Sequence, residues 1–172
     1  HGVQLKRRLH ENGITWWDHQ LAEYDPLPRY ERFPDVWENY AAEVGRDPNE
    51  FPFWAVTSRS MQYAWGANVG LPLIREVANN ISGHDGVIIN RTRAREAGIE
   101  EGDPITIESA AGMSHGRAHL REGIRPDTVL MIGQFDHWAT PLARDFGIAS
   151  LNTVTPLSLS LTDSTGSGAD LM

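Results

Sequence analysis

Cysteine is absent from all 172 residues. Within this chain that rules out a disulfide, a thiolate zinc site, a cysteine-ligated iron–sulfur cluster and a thiol nucleophile. Long apolar runs are absent too. No stretch approaches the ~20 residues that cross a bilayer, and the opening HGVQLKRRLH lacks the apolar middle of a signal peptide, so no membrane span is expected. Positive charge is sparse: 15 Lys and Arg stand against 23 Asp and Glu, for a formal net charge of -8. Nucleic acid and anionic membranes reward clustered cations and are therefore not expected partners. The nearest approach to a cluster, Arg91, Arg93 and Arg95, reads as a solvated helix face. An initiating Met is also missing, and the chain reads as a fragment of something longer. Its targeting signal would then lie upstream, and the choice between cytoplasm and periplasm stays open.

Catalytic templates are missing as well. No GxGxxG follows a strand, and Gly166-Ser167-Gly168 has neither the Lys nor the following helix of a phosphate-binding loop. His115 and His119 have the spacing of a helical metal pair. Gly112 and Gly116 read as bracketing a turn, however, and no HExxH glutamate accompanies them, so both are expected to be surface histidines. Ser, His and Asp occur without a nucleophile elbow. No catalytic residue and no metal ligand is assigned, and a hydrolase is unsupported.

What the chain does have is enough apolar sequence, 40%, for one globular domain with an appendage. Its organisation changes near residue 50. Residues 1–50 carry Trp16, Trp17, Trp37, Tyr24, Tyr30, Phe33 and Tyr40 among Pro26, Pro28, Pro34 and Pro48, the composition of an extended, partly helical arm packed on another body. Trp16 and Trp17 are expected outside the core of the domain built from residues 51–172. One helix stands out in the arm. Asp35 is positioned to cap it, Glu38 completes a capping-box-like pattern and Gly45 stops it, with Val36, Tyr40 and Val44 on the buried face.

Residues 51–172 switch to short strands and tight turns. Phe53-Trp54-Ala55-Val56 and Gly86-Val87-Ile88-Ile89 read as buried strands. Asn90 caps a helix over Arg91 to Ala97, which Gly98 ends in a left-handed turn with Ile99 as its hydrophobic contact. After the turn Glu100 to Asp103, Pro104 to Ser109 alternates with period two, placing Ile105 and Ile107 on one face. Gly112 begins a return through Ala118 and Leu120, and Val129 to Ile132 gives another buried strand after the turn Arg125 to Asp127. Thr162 to Gly168 is a loop by composition. So many short strands with few helices suggest a closed β-barrel, which leaves no exposed edge.

Two polar clusters follow apolar runs: Thr57-Ser58-Arg59-Ser60-Met61-Gln62 and Leu151-Asn152-Thr153-Val154-Thr155-Pro156. Their hydroxyls, amides and guanidinium suit a heteroaromatic or phosphate-bearing ligand. The same hydroxyls would equally serve turns that satisfy their own backbone. His137 in GQFDHW has two readings of equal weight, a ligand contact and packing beside Trp138.

The stretch GVIINRTRAREAGIEEGDPITIESAAG, Gly86 to Gly112, resembles the C-terminal domain of dimethyl-sulfoxide-reductase-type molybdopterin oxidoreductases. The order of the Thr-x-Arg loop at Val56 to Gln62, the strand and loop Val129 to Trp138 and the Asn152-Thr153 segment also resembles that family, over about residues 51–165. The resemblance implies a mainly β fold with short helices, a double-psi β-barrel of the aspartate-decarboxylase-like kind preceded by the 1–50 arm. It implies a cofactor, bis(molybdopterin guanine dinucleotide) with Mo or W ligated outside this chain, and an iron–sulfur cluster in an upstream domain. It implies as partners the upstream domains of the same enzyme and an iron–sulfur electron-transfer subunit. Carried over, Thr57, Ser58, Arg59, Ser60 and Gln62 would contact a pterin and its phosphates. Asn152 and Thr153 would bond a pterin edge, and His137 would lie nearby.

The chain alone would hold cofactor without catalysing, and expressed alone it is expected to carry no stoichiometric metal. The wording around QFDHWATP resembles branches acting on aromatic acyl-CoA compounds or on sulfur or arsenic oxyanions. The family's chain usually ends with a further strand after the loop matching Thr162 to Gly168, whereas this sequence stops at Met172. Two alternatives share the barrel: a free-standing module that binds a protein or peptide, and a self-processing decarboxylase, whose Gly-Ser would have to be Gly166-Ser167 in the tail.

Overall fold

The computed structural model describes residues 2–18, 21, 30, 32–63, 68–133 and 147–156. The chain divides into two compact units, one of them Pro48–Thr155 and the other containing the residues up to Asp47.

In the first unit, helix α1 (Gly2–Glu11) buries none of its side chains. Helix α2 (Phe33–Glu43) starts two residues before Asp35. Its N-cap is Arg32, with no side-chain cap, and Pro34 sits in the first turn, where its missing N–H is no loss. Asp35 is therefore a first-turn acid rather than a cap. Its carboxylate faces the positive end of the helix dipole, 3.7 Å from the Arg32 guanidinium. Gly45, at φ +73°, ends the helix as expected. Tyr40 and Ala41 are buried, but Val44 is exposed, so the buried face is shorter than the expected Val36-Tyr40-Val44 stripe. Trp16 and Trp17 are 68% and 50% exposed.

The second unit is mostly sheet with few helices. Its strands are β1 (Trp54–Ser58), β2 (Val87–Asn90), β3 (Pro104–Glu108), β4 (Met113–Arg121) and β5 (Thr128–Ile132). They lie side by side in the order β1-β5-β2-β4-β3. The pairing is mixed. β1 runs parallel to β5 (Val56 opposite Leu130), β5 antiparallel to β2 (Leu130 opposite Ile88), β2 parallel to β4 (Ile88 opposite His119), and β3 antiparallel to β4 (Thr106 opposite His115).

Strand β5 explains its own sequence. Val129 and Met131 face one cluster, with Val87, Ile89, Ala118, Leu120, Ala149 and Val154, while Leu130 and Ile132 face another with Tyr63, Val69 and Ala78. A strand covered on both faces reads as an unbroken apolar run. β1, by contrast, lies at one edge of the sheet among the described residues. Trp54 and Val56 are 37% and 41% exposed, which corrects the expectation of a buried strand.

Helices α3 (Pro72–Ala78), α4 (Arg91–Glu96) and α5 (Leu151–Val154) complete the unit. The α4 signals hold. Asn90 Oδ1 accepts from Arg93 N at 3.1 Å, Gly98 turns at φ +72°, and Ile99 packs on the first cluster. Gly116 does not bracket a turn; it lies in the middle of β4. A Cβ there would sit 2.9 Å from Ala149 Cβ, so the glycine marks a close approach of another segment rather than a chain reversal.

Candidate functional site

The strand ends of β1 and β5 and the start of α5 converge on Gly133. Because β1 and β5 run parallel, both end on the same side, and Gly133 N donates to Ser58 O at 3.0 Å just beyond the last paired residues. A Cβ at Gly133 would come 2.6 Å from Thr57 Oγ1 and 3.5 Å from Leu151 Cδ2. The two polar segments, roughly 90 residues apart in sequence, are thus drawn to one place by a residue with no side chain.

Each segment is held from beneath. Past β1, Tyr63 N donates to Ser60 O at 3.3 Å and closes a turn over Met61 and Gln62. Ser60 Oγ donates to Gln62 Oε1, and Asn68 Nδ2 donates to Gln62 O at 3.4 Å. Ser60 and Tyr63 are buried while Arg59 and Met61 face outward. Burial raises the Tyr63 hydroxyl pKa, with Arg75 opposing and Asp85 adding to the shift, so the phenol stays neutral.

The other segment is not a strand end but the single turn α5. It rests on the β3–β4 hairpin. Ser150 N donates to Ser114 Oγ at 2.8 Å and Ser109 Oγ donates to Val154 O at 2.7 Å. Ser109 Oγ also accepts from Ala111 N and Gly112 N. Gly112 lies so close to α5 that a Cβ there would meet Thr153 O at 2.6 Å.

The outward-facing groups are informative. The side chains of Thr57, Ser58, Asn152 and Thr153 form no hydrogen bond among the described residues, and all but Ser58 are exposed. Arg59 is exposed with its own interaction. Gln62 is engaged by Ser60, which makes both of them parts of the turn. His137 lies outside the described residues. Sequence reasoning misses Gly133, Ser114 and Gly112 as site residues. The available signal is a glycine directly behind the apolar run Val129 to Ile132.

The two histidines separate. His115 is exposed, with Thr106 Oγ1 3.0 Å from its Nδ1. His119 is only partly exposed. Its ring packs against Gly86, with Nδ1 2.8 Å from Glu101 Oε1 and Nε2 3.4 Å from Asp85 Oδ1. Glu101 Oε2 also accepts from Leu120 N at 2.7 Å, and that bond, with His119 and Arg121, lowers the Glu101 pKa against the opposing effect of burial. Among the described residues no group of three or more His, Asp or Glu could hold a metal ion. No helix of the described residues is long and apolar enough to cross a membrane.

Residues 57–167 match the family model described as the molydopterin dinucleotide binding domain. Over 97 residues the chain is 31% identical to the arsenate respiratory reductase molybdopterin-containing subunit of Shewanella sp. (strain ANA-3), covering 54% of this chain and 11% of that protein. It is similar in fold to acetylene hydratase from Pelobacter acetylenicus, with a TM-score of 0.55 and 16% identity over 81% of this chain and 19% of that one. The chain therefore spans about a tenth of the first relative and about a fifth of the second.

Proposed function

The chain belongs to the molydopterin dinucleotide binding domain family, and on that premise we propose that it is the cofactor-holding domain of a larger molybdenum or tungsten oxidoreductase. The cofactor is bis(molybdopterin guanine dinucleotide), which supplies the redox chemistry at its metal when bound. The residues present fit such a group. A flat, anionic heterocycle needs several donors and acceptors, and beside Gly133 the Thr57 hydroxyl meets the start of α5, whose Asn152 amide and Thr153 hydroxyl, like the Ser58 hydroxyl at the end of β1, form no hydrogen bond among the described residues.

That convergence is the observation that carries the reading. Arg59 adds a planar fork able to grip a phosphate or lie along a ring. Ser60 and Gln62 shape the turn that presents it, and His137 is a further contact. The domain's work is to bind, orient and shield, while the metal ligand, an iron–sulfur cluster and the substrate belong to upstream domains and an electron-transfer subunit. A double-psi barrel beginning near residue 51, with residues 1–50 as an interdomain arm, is the architecture in which we place the site. Its support is the mixed parallel and antiparallel strand order and the similarity of fold to acetylene hydratase.

The test is Arg59→Ala in the complete enzyme. A charge-assisted contact is worth ~1.5–3 kcal/mol, so cofactor affinity should fall by about one to two decades. Arg59→Lys should restore it only in part, because a point charge lacks the fork. Unchanged cofactor content with a destabilised fold would make Arg59 structural and remove the loop from the site.

A further inference from the structure

Between α3 and β2 the chain crosses residues 79–86 without helix or strand, and two side chains of β4 hold this strap in place. Arg121 Nη2 donates to Ser82 Oγ at 2.7 Å and stands 3.1 Å from the position of a Cβ on Gly83, which turns at φ +85°. The His119 ring lies against Gly86, where a Cβ would overlap its Cδ2. From there the ring reaches both ways. Nδ1 is 2.8 Å from Glu101 Oε1, in the turn before β3, and Nε2 is 3.4 Å from Asp85 Oδ1, in the strap. Two other ionisable groups stand close among the described residues. Arg121 is 3.6 Å from Glu101 Oε1, and His84 Nδ1 is 3.8 Å from Asp85 Oδ1. His84 is buried and committed elsewhere: its Nδ1 donates to Ile81 O at 2.8 Å and its ring stands 6.2 Å from that of Tyr63.

Both partners of His119 are carboxylates, which only accept when ionised, and an imidazole has two N–H donors only when protonated. The neutral ring serves one carboxylate and turns a lone pair to the other. The two arms are unequal. Glu101 keeps the Leu120 amide at 2.7 Å and Arg121 whatever the ring does, whereas Asp85 meets only His119 and the more distant His84 among the described residues. Asp85 is the arm that opens. We propose that His119 is a pH-operated latch: its imidazolium ties Asp85 to Glu101 and holds residues 79–86 on β4, and loss of the proton releases the strap at Asp85. Imidazoles exchange their proton between about pH 5 and about pH 8, so release comes as pH rises through that range. The inference stands apart from the proposed function, since no cofactor takes part in it.

The experiment is amide hydrogen exchange of the complete enzyme at about pH 5.5 and about pH 8, followed by mass spectrometry and corrected for the intrinsic exchange rate at each pH. A peptide covering residues 79–86 should lose about tenfold in protection at the higher pH, while a peptide covering β5 keeps its protection and reports an intact core. Asp85→Asn supplies an amide that accepts from the charged ring and donates to the neutral one, so this variant should hold the strap at both pH values. His119→Gln should abolish the pH dependence. Equal protection of residues 79–86 at the two pH values in the wild type overturns the proposal, and so does a parallel loss of protection in β5, since the change would then be global. A pH dependence that survives in His119→Gln also overturns it, because His84 or a more distant group would then be the sensor. So does an Asp85→Asn strap that opens at the higher pH as the wild type does. If His119→Gln fails to fold, the wild type and Asp85→Asn decide between them.

Discussion

The two sides of the five-stranded sheet use the same residue types for opposite ends. Around β2, β4 and β3 the polar side chains are satisfied within the fold. Asn90 Oδ1 caps α4 while its Nδ2 donates to Ile124 O at 2.7 Å, Ser109 and Ser114 hold α5, and Glu101 holds both the Leu120 amide and His119. At the end of β1 and on α5, the side chains of Thr57, Ser58, Asn152 and Thr153 form no hydrogen bond among the described residues. Residue type does not distinguish a structural amide from a ligand-facing one; hydrogen-bond accounting does. Buried polar groups must be paired, so the paired set is explained by the fold alone, whereas the outward set is solvated in the chain by itself and is the set open to the proposed ligand.

The comparison breaks most visibly on the structural side. Gly116→Val forces two methyl groups and a Cβ into the space of Ala149, and overpacking of a closed core should destabilise the domain by about 3 kcal/mol, read as a lowered Tm or denaturation midpoint. A neutral outcome would show that the 147–150 segment yields freely. Asn90→Ala removes a cap and leaves the part-buried Ile124 carbonyl without its donor, for about 2 kcal/mol. Asn90→Asp should recover part of that loss, since it keeps the accepting oxygen at the helix start and loses only the donor to Ile124.

The smallest effect is electrostatic. The folded-state pKa of Glu101 is lowered, so its contribution is present above the unfolded carboxylate value of 4.5 and is lost as pH falls through the lower folded value. Glu101→Gln should therefore lower stability above pH 4.5, where the contribution is present, and the gap to wild type should close as pH falls through the lower folded value, which flattens the acid limb. Its half-exposed side chain limits the effect to less than about 1 kcal/mol. An acid limb identical in wild type and variant would remove Glu101 from the account.

The features legible in the sequence are those decided within a few residues. Asn90 as a cap, Gly98 with Ile99 as a stop and the alternation of Ile105 and Ile107 each follow from local geometry, and each stands. What misleads is a long-range cause that looks like a local one. Gly116 reads as a turn because its real reason, Ala149, lies in a distant segment, and His119 reads as a surface residue because Asp85 and Glu101 come from other segments. Trp54 and Val56 look buried by composition, and only the strand order puts β1 at an edge among the described residues. The candidate site divides in the same way. Polar density marks Thr57 to Gln62 and Asn152 to Thr153, but their meeting at Gly133 comes from the parallel pairing of β1 with β5 and from the support of α5 by the hairpin, neither of which has a local signature.

One pair of matched substitutions tests the division most directly: Asn152→Ala against Asn90→Ala in the complete enzyme, each measured for pterin per polypeptide and for Tm. The account predicts that Asn152→Ala lowers cofactor affinity about tenfold or more while changing stability by less than about 0.5 kcal/mol, and that Asn90→Ala lowers Tm while the folded fraction keeps its cofactor. An Asn152→Ala enzyme with full cofactor content and a reduced Tm would contradict it, since the outward amide would then be serving the fold and not a ligand.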